Sequence, residues 1–372
     1  MAQALWAATR KGLFRLSADD GWRVEAPGFL GEPVTNVLDD TRDGTLYATL
    51  NLGHFGVKLH RSSDRGRTWE ECAAPSYAGV PADPAPSPGP DGAPPTGPPK
   101  PPSLELLWTL EPGGADQPGR LWAGTIPGGL FRSDDRGTSW TLVHSLWDRP
   151  ERTQWFGGGY DHAGIHSILV DPRDSRRLRI AVSCGGAWLS EDDGASWTCR
   201  SDGMEADYMP PERRHDPIIQ DPHRVAACAS QPDVMWAQHH CGIFRTVDGG
   251  RRWERLHAEP SSFGFAVAVD PGNPERAWFA PAVKDERRVP VDGRLVVTRT
   301  DDGGRTFQAF DRGLPQPSYD LVYRHGLEVD ATGKRLAMGS TTGGLWLSED
   351  VGESWRCLSE HLPPVYAVRW GN

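Results

Sequence analysis

The sequence lacks long apolar runs, closely spaced cysteine pairs and an excess of positive charge. No stretch approaches the roughly 18 consecutive apolar residues of a membrane-spanning helix, so none is expected. The six cysteines include no C-x-x-C spacing, which argues against a zinc ribbon or a redox pair. The segment after Met1 has neither the basic head nor the apolar centre of a secretory signal, so we expect a cytoplasmic protein.

The charge balance also narrows the range of partners. The formal net charge is -10, which argues against nucleic acid or an anionic membrane as the main partner. Hydrophobic residues make up 37% of the chain and include 16 Trp, enough for a substantial buried core. The 43 Gly and 33 Pro are typical of a fold with many turns.

One octet recurs along the chain, with the form Ser/Thr-x-Asp-x-Gly-x-Ser/Thr-Trp/Phe. Six copies begin at Ser62, Ser133, Ser190, Thr246 (with Arg252 in the second hydroxyl position), Thr300 and Ser348, and a shortened copy begins at Ser17. The Asp and hydroxyl side chains can bond backbone N–H groups across a turn, while Gly supplies a positive φ. The octet therefore predicts a tight strand–turn–strand hairpin. Because seven scattered turns cannot form one active site, its acidic residues are interpreted as structural.

The segments between octets predict three further strands per repeat. The first strands are predicted at residues 34–38, 104–110, 165–170, 225–229, 265–269 and 327–329. Four antiparallel strands per repeat are typical of a propeller blade. The first repeat lacks a first strand, which the C-terminal segment 364–370 can supply, leaving no open sheet edge. We therefore predict an all-β, seven-bladed β-propeller over residues 1–372, closed by the C-terminal strand joining the N-terminal blade.

Two insertions interrupt this regularity. Residues 75–103, between blades 2 and 3, are rich in Pro and are expected to be extended or disordered. This insertion could cover the channel mouth or bind another protein. Residues 283–293 are predicted to lengthen the hairpin between the second and third strands of blade 6.

The octets resemble the Asp-boxes, or BNR repeats, of sialidase-like propellers. They are also similar to repeats of the WD40/YVTN/BNR-like, photosystem II assembly-factor-like and Vps10-like propellers. The resemblance covers nearly the whole chain and implies the fold, but such propellers include enzymes, receptors and assembly factors. Sialidases carry an early Arg-Ile-Pro signature, whereas residues 8–13 here read Ala-Thr-Arg-Lys-Gly-Leu, so the resemblance does not imply sialidase activity.

Most of the twelve histidines are predicted to lie at one mouth of the central channel, opposite the octets. They lie in loops that enter first strands or that join second to third strands: His54, His162, His166, His215, His223, His239, His240 and His325. Alignment of the first strands places His166 and His325 at equivalent positions near the channel. Each histidine alone is an ordinary loop residue, but the clustering favours a functional pocket.

This pocket has the residue types of a metal centre. Imidazole is a common ligand of Zn, Cu, Fe or Ni and a general base near neutral pH. The predicted ligands are His54, His162, His166, His239, His240 and His325. Asp161 could add an oxygen ligand or orient a histidine. The predicted catalytic residues are His166, His325, Asp161 and Glu286.

The blade 6 insertion is expected to lie over the same mouth. Lys284, Arg287 and Arg288, together with Tyr323, are predicted to bind a substrate carboxylate or phosphate. The leading hypothesis is a hydrolase or lyase acting on a small polar or anionic molecule. One alternative is a non-catalytic scaffold that binds a protein through the Pro-rich insertion. Another is a glycosidase, whose carboxylate pair would come from Asp161, Asp285, Glu286 and Asp320.

Overall fold

The computed structural model describes residues 4–82 and 100–371, which form seven four-stranded antiparallel sheets arranged as a ring. The prediction of an all-β, seven-bladed propeller is confirmed. Most of the Pro-rich insertion, residues 83–99, lies outside the described residues. No helix in the described ranges is long and apolar enough to span a membrane.

Each blade contributes its first strand to the channel wall and its fourth strand to the rim. Blade 1 comprises β1 (Ala4–Thr9), β2 (Gly12–Ser17), β3 (Arg23–Val24) and the C-terminal β28 (Val365–Gly371), and blade 2 comprises β4 (Val34–Asp40), β5 (Thr45–Asn51), β6 (Val57–Ser62) and β7 (Glu70–Cys72). Blade 3 comprises β8 (Leu106–Pro112), β9 (Leu121–Ile126), β10 (Leu130–Ser133) and β11 (Thr141–Leu142), and blade 4 comprises β12 (Ile165–Val170), β13 (Leu178–Val182), β14 (Gly186–Ser190) and β15 (Thr198–Cys199).

The remaining three blades follow the same order. Blade 5 comprises β16 (Pro222–Cys228), β17 (Gln231–His239), β18 (Gly242–Thr246) and β19 (Glu254–Leu256), and blade 6 comprises β20 (Gly264–Val269), β21 (Ala277–Pro281), β22 (Val297–Thr300) and β23 (Gln308–Phe310). Blade 7 comprises β24 (Leu327–Val329), β25 (Leu336–Gly339), β26 (Leu345–Ser348) and β27 (Arg356–Ser359). A single helical turn, α1 (His144–Trp147), and four short 3-10 turns, at Gly53–Phe55, Pro150–Gln154, Pro217–Ile219 and Val291–Gly293, lie in the connections.

The core consists of apolar layers between neighbouring blades. Trp122, Trp236 and Trp278, on second strands, are fully buried. Each belongs to an apolar cluster shared with the following blade, as Trp122 does with Ile165 and Ile168. Because both faces of these strands are covered by neighbouring sheets, their sequences are nearly continuous apolar runs.

The C-terminal strand closes the ring, as predicted. Strand β28 pairs antiparallel with β1, from Ala4 opposite Gly371 to Thr9 opposite Val365. The N-terminal blade therefore takes its inner strand from the other end of the chain. The two ends are joined by backbone hydrogen bonds within one sheet.

The octets form hairpin turns between third and fourth strands. In blade 4, the carboxylate of Asp192 accepts hydrogen bonds from the Ser196 amide at 2.8 Å and the Ser196 hydroxyl at 2.6 Å. The Ser190 hydroxyl donates to the same carboxylate and accepts from the Gly194 amide, both at 2.8 Å. These bonds, led by those from Ser196, lower the pKa of Asp192. The octet is therefore a local hydrogen-bonded unit.

Replacing Asp192 with Ala is expected to lower the free energy of unfolding by about 1 kcal/mol, as loss of a capping side chain does. Urea unfolding would measure this change. Glu191→Ala is the matched control, because Glu191 in the same turn is exposed and makes only a 3.4 Å ion pair with Arg177. Equal effects of the two substitutions would contradict a structural role for the octet carboxylate.

The first residues of the Pro-rich insertion pack against blade 3. Tyr77 is buried and its ring lies 5.0 Å from those of Phe131 and Trp147. Its hydroxyl donates to the Pro127 carbonyl at 2.7 Å. An aromatic side chain can therefore anchor a segment whose composition is otherwise that of an unpacked linker.

Candidate functional site

A cavity of about 450 Å³ lies at the channel mouth opposite the octet turns. Its walls come from strand ends, mostly of first strands, and from the loops beside them, on six different blades. The aromatic side chains in the wall are Trp108, Tyr160, Phe265, Tyr323 and Tyr366. Of the described residues that line the cavity, three are arginines and none is Asp or Glu. The cavity is therefore aromatic and cationic.

Arg324, in the loop that enters β24, is the central cation of this cavity. It is 9% exposed, and its guanidinium carbon lies 4.8 Å from the ring centroid of Trp108 and 5.4 Å from that of Phe265. Its Nε is a buried donor without a partner among the residues that the structure describes. Burial lowers the pKa of Arg324, while Asp221 opposes this shift. A charged side chain is thus held between two rings with part of its hydrogen-bonding capacity unused.

The other two arginines differ from Arg324 in their surroundings. Arg288 lies 5.2 Å from the centroid of Phe265, and its Nη2 is 2.6 Å from a carboxylate oxygen of Asp285. Arg10, in the turn between β1 and β2, is exposed. The charge of Arg288 is therefore balanced by a neighbour, and that of Arg10 is solvated.

Three candidate metal ligands converge beside the cavity. Asp221, His223 and His240 each offer one ligating atom, and these atoms lie within 4.8 Å of one another. The Oδ2 atom of Asp221 is 3.5 Å from His223 Nε2 and 3.5 Å from His240 Nδ1. Across residues 4–82 and 100–371, no other group of three such side chains meets this criterion.

Strand pairing and hydrogen bonds orient these side chains. Asp221 precedes β16 and His240 follows β17, where the amide of His240 donates to the carbonyl of Asp221 at 2.9 Å. His223 donates from Nδ1 to the Gly264 carbonyl at 2.7 Å, and its Nε2 faces Asp221 at 3.5 Å. Its ring stacks on Phe265 at 4.5 Å. A backbone carbonyl that fixes the tautomer of a histidine in this way is typical of a metal ligand.

Electrostatics favour an ionised Asp221. Burial by itself would raise the pKa of Asp221, but His223 and His240 lower it well below its usual range. Burial lowers the pKa of His223. For His240 the effect of burial is outweighed by Asp221, which raises its pKa. The site thus combines a carboxylate with two imidazoles, one fully buried and one with 26% of its side chain exposed.

Gly158 lies between the cavity and Asp221. It lines the cavity, and a Cβ atom at this position would lie 2.7 Å from Cys184 Sγ and 3.2 Å from Asp221 Oδ2. Only a residue without a side chain lets the loop before β12 approach so closely. The loop therefore covers the buried side of Asp221.

The structure brings some of the predicted site residues to this region. His240 belongs to the group of three, while Arg288, Tyr323 and His325 line the cavity. The Nε2–H of His325 donates to the carbonyl of His166 at 2.9 Å, and burial lowers the pKa of both histidines well below the usual value. These two rings are thus neutral and packed in the channel wall.

Other predicted residues lie apart from the group of three. His54 and Asp161 are exposed, and His162 Nε2 lies 3.4 Å from Glu105. Lys284, Glu286 and Arg287 are exposed at the tip of the blade 6 insertion, where Lys284 pairs with Glu286 at 3.3 Å.

His239 is buried on the opposite side of its strand from His240. The backbone N–H groups of Asp221 and Cys241 both point at its ring nitrogens, at 3.0 Å, and burial lowers its pKa to about 3. Its ring is therefore engaged within the protein.

Sequence reasoning did not select Asp221. The available signal was the pair Asp221-x-His223, because alternate residues of an extended segment lie on the same face. The register of β16 with β17, in which Pro222 lies opposite His239, then brings His240 beside Asp221.

Comparisons with known proteins give structural matches only. No protein-family model matches the chain, and no curated protein matches it. The GH74 xyloglucanase of Xanthomonas campestris is 18% identical, with a TM-score of 0.67 over 97% of this chain and 53% of its own. The GH74 enzyme of Niastella koreensis is 16% identical, with a TM-score of 0.62 over 95% of this chain and 51% of its own.

A second kind of protein shares the fold. YCF48 from Cyanidioschyzon merolae is 13% identical, with a TM-score of 0.58 over 94% of this chain and 96% of its own. A structure of YCF48 bound to D1 peptide, also 13% identical, has a TM-score of 0.57 over 94% of this chain and 90% of its own. This chain spans about half the length of the two GH74 structures but nearly all of both YCF48 structures. At these identities the matches show that the chain shares the propeller fold of GH74 enzymes and YCF48.

Proposed function

We propose that this protein is a metal-dependent enzyme that hydrolyses, or eliminates a group from, a small anionic molecule at the channel mouth. The observation that carries the proposal is the convergence of Asp221, His223 and His240 beside an aromatic, cationic cavity. The GH74 neighbours support it in one respect, because they are enzymes with the same type of fold.

The three side chains fit a divalent transition metal. Two imidazoles and one carboxylate are a common ligand set for Zn, Fe, Ni or Cu. Asp221 Oδ2 lies 3.5 Å from the nearest nitrogen of each histidine, which is longer than a good hydrogen bond. The three ligating atoms are therefore close together but do not form strong hydrogen bonds with one another. A metal ion held there would act as a Lewis acid on a substrate oxygen.

His223, His240 and the neighbouring Arg288 would each contribute differently to metal and substrate binding. His223 is held by Gly264, and its stacking on Phe265 prevents it from rotating. His240 is partly exposed, so substrate can approach from its side. Arg288 lines the cavity, and its charge also acts on His240, so a cation of the cavity wall lies within electrostatic range of the ligand group.

Metal titration of the purified, EDTA-treated protein tests the proposal. We expect stoichiometric binding of Zn²⁺ or Ni²⁺ by calorimetry, weakened at least about 100-fold in His223→Ala/His240→Ala, because each lost ligand removes a direct bond to the metal. The matched control is His54→Ala/His162→Ala, which removes two exposed histidines outside the group and should bind metal as the wild type does. Failure of the wild type to bind, or equal affinity in all three proteins, would overturn the assignment.

A second candidate function is the binding of a peptide or protein without catalysis. YCF48 shares the fold and has been solved with D1 peptide, which favours this reading. A purified partner that binds the wild type stoichiometrically, but not a variant lacking residues 83–99, would support it. That deletion retains Tyr77, whose packing anchors the start of the insertion.

The glycosidase alternative has less support from the geometry. Asp285 pairs with Arg288, Glu286 with Lys284, and Asp320 accepts a hydrogen bond from Ser318 at 2.5 Å. Since no Asp or Glu is among the described residues lining the cavity, its wall offers no pair of facing carboxylates.

A further inference from the structure

We propose that Arg324 is the binding group for the carboxylate of a small aromatic acid, so that the molecule bound at the channel mouth is an aromatic monocarboxylate. This inference deepens the proposed function and rests on it in one respect, since only that function makes the bound molecule a substrate. The binding site itself is argued from Arg324 and its neighbours, independently of any metal.

Arg324 is a buried cation with unused hydrogen-bonding capacity. Arg324 is 9% exposed, and its Nε is buried without a partner. Its side chain forms no ion pair or hydrogen bond with another residue of the described ranges. A buried charge left in this state is costly, and a guanidinium presents a planar fork that matches a carboxylate. An incoming carboxylate would satisfy it.

Arg324 also differs from the other two arginines of the cavity wall in how its charge is compensated. Arg288 is already paired with Asp285, and Arg10 is exposed at the rim. Arg324 is thus the one buried cation in the cavity wall, as far as the described residues show, whose charge no contact neutralises. Asp221 is the acidic group that most stabilises the charge of Arg324, but it does not form an ion pair with it. One uncompensated charge favours a monoanion over a doubly charged phosphate.

Aromatic rings surround the guanidinium of Arg324. The Arg324 guanidinium lies between Trp108 and Phe265. Tyr160 extends the first wall, with its ring 5.4 Å from that of Trp108, and Tyr323 extends the second, 5.6 Å from that of Phe265. Aromatic walls bind planar rings by stacked and edge-to-face contacts. A volume of about 450 Å³ is also in the range of small-molecule sites.

Binding of simple probes to the full-length, EDTA-treated protein tests the inference. Benzoate supplies ring and carboxylate, benzamide the same shape without charge, acetate the carboxylate alone, and phenyl phosphate the ring with a doubly charged group. By calorimetry we expect benzoate to bind at least about tenfold more tightly than each of the other three. Equal or tighter binding of benzamide or acetate would overturn the inference, and tighter binding of phenyl phosphate would replace the carboxylate with a phosphate.

Two variants of Arg324 complete the test. Arg324→Met should lose benzoate binding and have a melting temperature at or above that of the wild type, because it removes an uncompensated buried charge. Arg324→Lys retains the charge without the planar fork and should bind benzoate at least about tenfold more weakly. Retention of wild-type benzoate affinity in Arg324→Met would overturn the inference. Should Arg324→Met fail to fold, the benzoate–benzamide comparison on the wild type still decides it.

The experiment separates this inference from the metal proposal. His223→Ala/His240→Ala should lose metal binding and keep benzoate binding, whereas Arg324→Met should lose benzoate binding and keep metal binding. Loss of benzoate binding in the histidine variant, with Arg324 intact, would show that the anion binds at the metal group instead.

Discussion

Replacing Arg369 with Met is expected to lower the free energy of unfolding by about 3 kcal/mol. Arg369 lies on the closing strand β28, and its guanidinium is 2.7 Å from the carboxylate of Glu111 on β8 and 3.4 Å from that of Glu328 on β24. It therefore joins the C-terminal strand to blades 3 and 7 inside the channel. Burial raises the pKa of Glu328, while Arg369 opposes this shift.

The expected cost arises from the two carboxylates left behind. Methionine fills a similar volume but carries no charge to compensate the carboxylates of Glu111 and Glu328. The side chains of these two residues are only 17% and 26% exposed. Their residual contact with channel water places the cost at the lower end of the about 3–5 kcal/mol for breaking a buried ion pair. Urea unfolding at neutral pH measures it.

Two further variants make this result specific. Arg369→Met/Glu111→Gln/Glu328→Gln removes these three charges together and should recover part of the lost stability, because Arg224, whose charge Glu111 and Glu328 also stabilise, loses both carboxylates. Arg294→Met breaks an exposed pair with Asp311, whose side chains are 64% and 43% exposed, and should change stability by less than about 1 kcal/mol. A loss in Arg369→Met no larger than that in Arg294→Met would show that the channel pairs do not help to hold the ring closed.

Replacing Gly313 with Ala is expected to cost more than about 3 kcal/mol of folding free energy. Gly313 follows the last strand of blade 6 and has φ +85°, and an added Cβ would lie 1.9 Å from the carbonyl oxygen of Trp355 in the octet of blade 7. The obstacle is backbone, so it cannot move aside as a side chain would. The amide of Trp355 also donates to the carbonyl of Arg312 at 2.8 Å, and this bond would be strained.

Gly31→Ala is the matched control for this effect. Gly31 has φ +89°, but an added Cβ would meet no atom within 4 Å, so only the backbone strain of about 1 kcal/mol remains. The difference between the two variants, measured by urea unfolding, isolates the close approach of blades 6 and 7. Equal losses would show that the close contact with Trp355 is relieved without cost.

The architecture could be predicted because its determinants are local. Each octet contains both the donors and the acceptors of its turn, as with the bonds from Ser196 to Asp192, so eight residues specify a hairpin without the rest of the chain. Counting these hairpins and noting the missing first strand of blade 1 was then sufficient to predict seven blades and ring closure. The packed Tyr77 was not predictable in this way, because its partners Phe131 and Trp147 lie far along the chain.

The candidate site depended on contacts between distant residues. The sequence indicated which mouth of the channel to inspect, and His240, Arg288 and Tyr323 do lie there. The proximity of His240 to Asp221 depends on the register of β16 with β17, which the sequence did not reveal. The same register directs His239 to the opposite side of its strand.

By itself the sequence determined the blade, the number of blades and the mouth that carries histidines, because turn hydrogen bonds and strand periodicity act within a few residues. Only the tertiary structure decided that His166 and His325 are bound into the channel wall. It also decided that Arg324, between Trp108 of blade 3 and Phe265 of blade 6, is buried with no counter-ion contact in the described part of the chain. The physical reason is that burial and charge compensation depend on which blades the ring places together around its axis.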